Sequence, residues 1–182
     1  MSNRVTAQFS LVPASDRFVE IIIDAVDGIA AIEGLSVSTD AVSSALEGSG
    51  TAVTTALSQS FVRSAKTGAH VVQPLLVASD ATNAVSPLDL SGFMAPISSG
   101  VAAYAQFAAF GVSDEARSEA VAFLNLLGLS TNSKPLVIRV DGDAHLVIAA
   151  LVFLVERLGA SSGLATIQAT LVANFPAAEK FA

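Results

Sequence analysis

The chain is 182 residues long, 52% hydrophobic and only 14% charged, a balance that fills a sizeable core and excludes a disordered polymer. Its formal net charge is −7, and its nine Lys and Arg residues are scattered, which argues against a phosphate-backbone partner that needs clustered cations. Cysteine is absent, so disulfides and thiol chemistry are excluded.

In chain order, residues 5–12 alternate as a strand does, with Val5, Ala7, Phe9 and Leu11 on one face. Pro13 closes that strand, and Ser15 or Asp16 is placed to cap the next helix. Phe18, Ile21, Ile22, Ala25, Val26 and Ile29 form a helical stripe that Gly34 terminates. Two short strands are expected at 35–39 and 43–47, turning at Asp40-Ala41. Gly48 and Ser49 open a second helix with Val53, Ala56, Leu57, Ser60 and Phe61 inward, and 70–78 reads as a fourth strand.

The same order returns. Ala7-Gln8-Phe9 reappears as Ala105-Gln106-Phe107, and Leu46-Glu47-Gly48 as Val140-Asp141-Gly142. Gln73-Pro74-Leu75-Leu76-Val77-Ala78 is matched to Gln168-Ala169-Thr170-Leu171-Val172-Ala173. The second copy reads as strand 102–110, helix 114–127, strands near 130 and at 134–141, helix 143–158 and strand 164–173. The expected fold is therefore α+β: two tandem βαββαβ ferredoxin-like repeats, each an antiparallel four-stranded sheet with both helices on one face. Residues 1–79 form the first repeat, 80–100 a Ser/Pro/Asn/Gly-rich linker and 101–182 the second repeat. Tandem copies of this plan pack sheet to sheet or edge to edge.

A mean hydropathy of +0.64 calls for a check on membrane spans. The most apolar windows, 147–155 and 19–32, are short or interrupted by Glu20, Asp24 and Asp27, against a requirement of about 18 nearly uncharged residues. Met1 to Val5 lacks the basic and apolar regions of a secretory signal. The chain is expected to be soluble and cytoplasmic, with no nucleic acid or membrane as partner.

Thr39-Asp40-Ala41-Val42-Ser43-Ser44-Ala45-Leu46-Glu47-Gly48-Ser49 resembles the segment leading into the second helix of the YkoF-like family, which binds thiamin and its hydroxymethylpyrimidine moiety. Gln8-Phe9-Ser10-Leu11-Val12-Pro13 resembles that family's first strand, and Val140-Asp141-Gly142-Asp143-Ala144-His145 the matching stretch of its second repeat. The resemblance implies ACT-like repeats with ligand pockets between sheet and helices, binding without catalysis, and a role in thiamin-precursor uptake or salvage. The chain departs from the family where Ser79-Asp80-Ala81-Thr82 replaces a Cys-Pro-Gly-like segment, and within the second copy, where Phe110-Gly111 stands for Val12-Pro13 and Arg139 for Ala45.

A pyrimidine offers ring nitrogens and an exocyclic amine, so its pocket needs an apolar wall and a few fixed donors and acceptors. Gln8 and Gln106 recur at one strand position, with Ser10 on the same face as Gln8; the alternative for each Gln is plain solvent exposure. Thr39, Asp40, Ser43 and Ser44 cluster at one hairpin, where turn chemistry is the competing explanation. Gly48-Ser49-Gly50 before a helix could bind a phosphate, but capping is the better explanation there and at Asp143, whose carboxylate would repel a phosphate. Arg139 and Asp141 complete the candidate ligand set. No metal site, cofactor or catalytic residue is expected: His70 and His145 lie in unrelated places, and no nucleophile elbow is present. A homodimer is expected, because such sheets offer an edge and a face to a partner. The rival reading is an ACT-like regulatory or structural protein acting through oligomerisation and another small metabolite.

Overall fold

The computed structural model describes residues 4–80, 86–158 and 165–176, so residues 1–3, 81–85 of the expected linker, the expected strand start at Leu164 and the end of the chain lie outside it. In the first half, β1 (Val5–Phe9) is followed by β2 (Val12–Ala14), α1 (Phe18–Val26), a 3-10 turn (Ile29–Ala31), β3 (Ser36–Thr39), β4 (Ser44–Gly48), α2 (Gly50–Lys66) and β5 (His70–Ser79). The second half runs β6 (Ala102–Phe110), α3 (Asp114–Leu126), β7 (Ser130–Ser133), β8 (Ile138–Asp143), α4 (Ala144–Leu158) and β9 (Ala165–Ala173). No helix among the described residues is long and apolar enough to cross a membrane.

Local chemistry sets the element ends. Ser49 Oγ accepts from Ala52 N–H at 3.2 Å and caps α2; Ser113 Oγ caps α3 through Ala116 N–H at the same distance. The cap expected from Ser15 or Asp16 does not form on α1: Arg17 is its N-cap residue, and Ser15 Oγ instead accepts from Arg17 N–H at 3.2 Å. Helix α1 also ends earlier than its apolar stripe suggests, because Gly28 adopts φ 77° and turns the chain so that Ile29 is buried from a 3-10 turn.

The strands form one antiparallel sheet in the order β3-β4-β1-β5-β9-β6-β8-β7, with β2 also on β5. Of the two packings expected, sheet to sheet or edge to edge, the chain takes the second and builds one continuous sheet. Strands β5 and β9 pair along their length, from Val71↔Ala173 to Ser79↔Ala165, and join the halves edge to edge. This pairing satisfies two edges that would otherwise expose unpaired N–H and C=O groups. Helices α2 and α4 pack on each other across the seam, flanked by α1 and α3. Leu46, Leu57 and Phe61 of the first half and Phe107, Phe123, Leu151 and Leu171 of the second are fully buried beneath them. Among the described residues no helix lies on the opposite sheet face.

Pairing register relates the halves residue by residue. Gln8 pairs with Ala45 and Leu76, and Gln106 with Arg139 and Thr170. Leu76 therefore corresponds to Thr170, and the sequence match of Gln73 to Gln168 is one residue out of step. Gln73 is fully buried on the helix side, whereas Gln168 is exposed on the open face. A one-residue shift on a strand moves a side chain to the other face.

The stretch before β6 is part of the second half's packing. Phe93 packs edge-on against Phe123 and Phe153, at 5.8 and 5.1 Å, and those two rings stack on each other at 5.4 Å. Arg157 lies over Phe153 at 4.8 Å and donates to the Ser91 carbonyl. Counted from Gly48 and Gly142, Arg157 corresponds to Arg63, which donates to the carbonyls of Asp24 and Asp27 at the end of α1. A cation at matching positions thus ties down a helix end in one half and the strap before β6 in the other.

At the seam, the Glu156 carboxylate of α4 lies against Gly50, the first residue of α2, where a Cβ would collide with it. Burial raises the Glu156 carboxyl above its ordinary value, against a lowering by Arg157. Its protonated form is favoured in the fold, so this contribution to stability is full below the ordinary carboxylate range and is lost as pH rises through the raised value. Glu156→Gln is expected to raise Tm at pH 7 by about 1–3 °C and to leave it unchanged near pH 4. Gly50→Ala is expected to lower Tm by about 2–6 °C in the native background and to raise it slightly in Glu156→Ala, where the obstruction is gone; thermal melts of the four proteins check this.

Candidate functional site

The open sheet face carries two neighbouring clefts that share Thr170 of β9. The first, about 390 Å³, is lined by Gln8, Ser10, Val42 and Ser43, by Pro74 and Leu76 of β5, and by Gln168 and Thr170 of β9. Gln8 reaches it because Val5, Ala7 and Phe9 are pinned in the core, which turns Thr6 and Gln8 outward. Its Nε2 donates to Ser43 Oγ at 2.8 Å, and Ser10 Oγ donates to the Val42 carbonyl at 2.8 Å. The β3–β4 turn is thereby strapped to the first strand.

Asp40 holds that turn. Its Oδ1 accepts from Val42 N–H at 2.7 Å and Ser43 N–H at 2.9 Å, and these bonds lower the carboxyl below its usual range. This is the self-bonding that makes Asp a turn residue. Thr39 and Ser44 share a hydrogen bond of 3.0 Å but stand on the other side, since Ser44 is paired with inward-facing Phe9. Gly48 ends β4 at the far end of the hairpin, where a Cβ would lie 2.6 Å from the Gly34 carbonyl oxygen. The N-terminus of α2 that follows it has the protein's own Glu156 against it.

The second cleft, about 330 Å³, is lined by Tyr104, Gln106, Arg139, Thr170, Val172 and Phe175. Arg139 is oriented by Asp141, with Nε–Oδ1 at 2.9 Å and Nη2–Oδ2 at 2.8 Å, and its guanidinium lies 5.6 Å from the Tyr104 ring centroid. The bond to Asp141 raises the Arg139 pKa against the opposing effect of burial. The cleft therefore combines aromatic walls, a primary amide and a hydroxyl, a set suited to a flat, polar-edged ring.

Of the residues singled out from sequence, Gln8, Ser10 and Ser43 meet in the first cleft, and Gln106 and Arg139 in the second, with Asp141 behind Arg139. Asp40 supports the first cleft from its turn, while Thr39, Ser44 and Gly48 lie away from it. Sequence reasoning missed Tyr104, Val172 and Phe175, and also Leu76, Gln168 and Thr170. Tyr104 was within reach, being two residues from Gln106 on an alternating strand. The residues that β9 lends to the first cleft were not, because they cross the seam between halves.

A third hollow, about 450 Å³, lies between 100–104 and 141–143, beside the Asp143 carboxylate. Among the described residues no group of three or more His, Cys, Asp or Glu side chains is placed to hold a metal ion.

The fold and clefts describe an α+β protein with an open antiparallel sheet face. Residues 4–79, β1 to β5 in full, match the model of the YKOF-related family. No curated protein matches it.

Proposed function

We propose that this protein binds a thiamin-related pyrimidine, hydroxymethylpyrimidine or thiamin, without catalysis, in the open-face clefts of two tandem βαββαβ ferredoxin-like repeats. The observation that carries this reading is the placement of Gln8 and Gln106. At corresponding strand positions, each presents an amide in a cleft large enough for one heteroaromatic ring. An amide supplies both the donor and the acceptor that a pyrimidine edge requires. The family match over the first half agrees with a thiamin-related ligand. The protein serves thiamin-precursor uptake or salvage in the cytoplasm.

The same face supports a homodimer. Leu76 and Phe110 are 43% and 51% exposed on it, and a second copy laid there would cover them and close the clefts over their ligand. Isothermal titration against hydroxymethylpyrimidine, thiamin and thiamin phosphate tests the proposal. Saturable micromolar binding of at least one is expected, and its stoichiometry per chain reports whether one or both clefts work. Silence with all three overturns the assignment and leaves the ACT-like regulatory reading, in which the exposed face serves oligomerisation.

A further inference from the structure

The core of the first half contains a polar seam with no counterpart in the second. Gln73 of β5 and Ser60 and Ser64 of α2 are all 0% exposed. Gln73 Nε2 donates to Ser60 Oγ at 3.2 Å, and Ser60 Oγ donates to the Leu57 carbonyl at 3.0 Å. Gln73 Oε1 and Ser64 Oγ have no hydrogen-bond partner among the described residues. Ser64 lies one helical turn beyond Ser60 and so shares its face toward β5. The residues at corresponding positions in the second half, by the strand register and by counting from Gly48 and Gly142, are Leu154, Leu158 and Ile167, all apolar and buried. The fold itself therefore does not require polar groups here.

Buried polar atoms left unpaired are costly, and proteins satisfy them with internal water where two or more such atoms converge. We propose that the first half holds one ordered water between α2 and β5, donating to Gln73 Oε1 and Ser64 Oγ. The water completes a chain running from the Leu57 carbonyl through Ser60 and Gln73 to Ser64. Gln73 directly precedes Pro74 to Leu76, the residues of β5 that line the first cleft.

Water–protein cross-relaxation in NMR, read at the Gln73 Hγ protons of the full chain, tests the site. The expected result is a cross-peak with the sign of a long-lived bound water that disappears in Ser64→Ala. The accompanying Tm should fall by about 3–8 °C, because the water and Gln73 lose a partner. Gln73→Met, which removes the other ligand at similar volume, should give a comparable fall. If Ser64 Oγ is merely unpaired, or satisfied by its own helix, the wild-type protein gives no such cross-peak and Ser64→Ala melts at the wild-type temperature or above. Either of those observations overturns the proposal.

Discussion

Replacing Asp143 with alanine is expected to destabilise the fold by about 2–4 kcal/mol, a fall in Tm of about 5–15 °C. This carboxylate was legible in the sequence only as a helix cap. In the structure Oδ1 accepts from His145 N–H at 3.0 Å, at the entry to α4. Oδ2 accepts from the Ser98 hydroxyl at 2.8 Å, from Ser99 N–H and hydroxyl at 2.9 Å each, and from Gly100 N–H at 3.1 Å. One side chain thus fastens the strap before β6 to the junction of β8 and α4. Removing it orphans several donors at once, whereas Asp143→Asn keeps one acceptor oxygen and should lose about half as much.

Partial burial pushes the Asp143 carboxyl upward, but the bonds from Ser99, Ser98 and His145 outweigh it and hold the group at about 2. A folded value below the ordinary one gives stability that is present above the unfolded value and lost as pH falls. The wild-type protein should lose this contribution between about pH 4 and pH 2, and Asp143→Ala should show a flatter dependence there. Thermal melts of both proteins across that range check the sign.

The second large effect is on binding. Gln8→Ala and Gln106→Ala each remove the amide that addresses one cleft without touching the core, since both side chains are exposed. Each should weaken its own cleft by about 10- to 100-fold, the equivalent of one or two lost hydrogen bonds. A single substitution leaves the other cleft working and lowers the stoichiometry of tight binding, while the double variant abolishes micromolar binding with Tm lowered by no more than about 3 °C, the loss of the Gln8–Ser43 bond. Titration calorimetry paired with melting separates loss of ligand contacts from loss of fold. The first cleft is the more exposed to this change, because Gln8 also anchors the β3–β4 turn through Ser43.

Periodicity and turn residues were enough to place the helices and strands of each half in order except β2, where Pro13, read as closing the first strand, instead pairs with Val71. Edge-to-edge joining was one of two packings expected, but the choice of β5 and β9 as the joining strands was not legible. Nothing local distinguishes a strand that ends a sheet from one that pairs across a seam, and β5 and β9 are equally apolar. The mismatch of Gln73 with Gln168 has the same origin: matching residue types without facing direction set a core amide against a surface one. At the site, repetition revealed Gln8 and Gln106. The hairpin cluster was read too broadly, since pairing with Phe9 turns Ser44 from the cleft and Asp40 is occupied by its own turn.

A crystal structure of the protein grown with hydroxymethylpyrimidine shows whether a pyrimidine ring binds the open face of the sheet. Ring density is expected against Gln106 and Tyr104, or against Gln8 and Ser43, with an amide within hydrogen-bond distance of the ring edge. Density on the helix side of the sheet, or both clefts empty at saturating ligand, would contradict that placement.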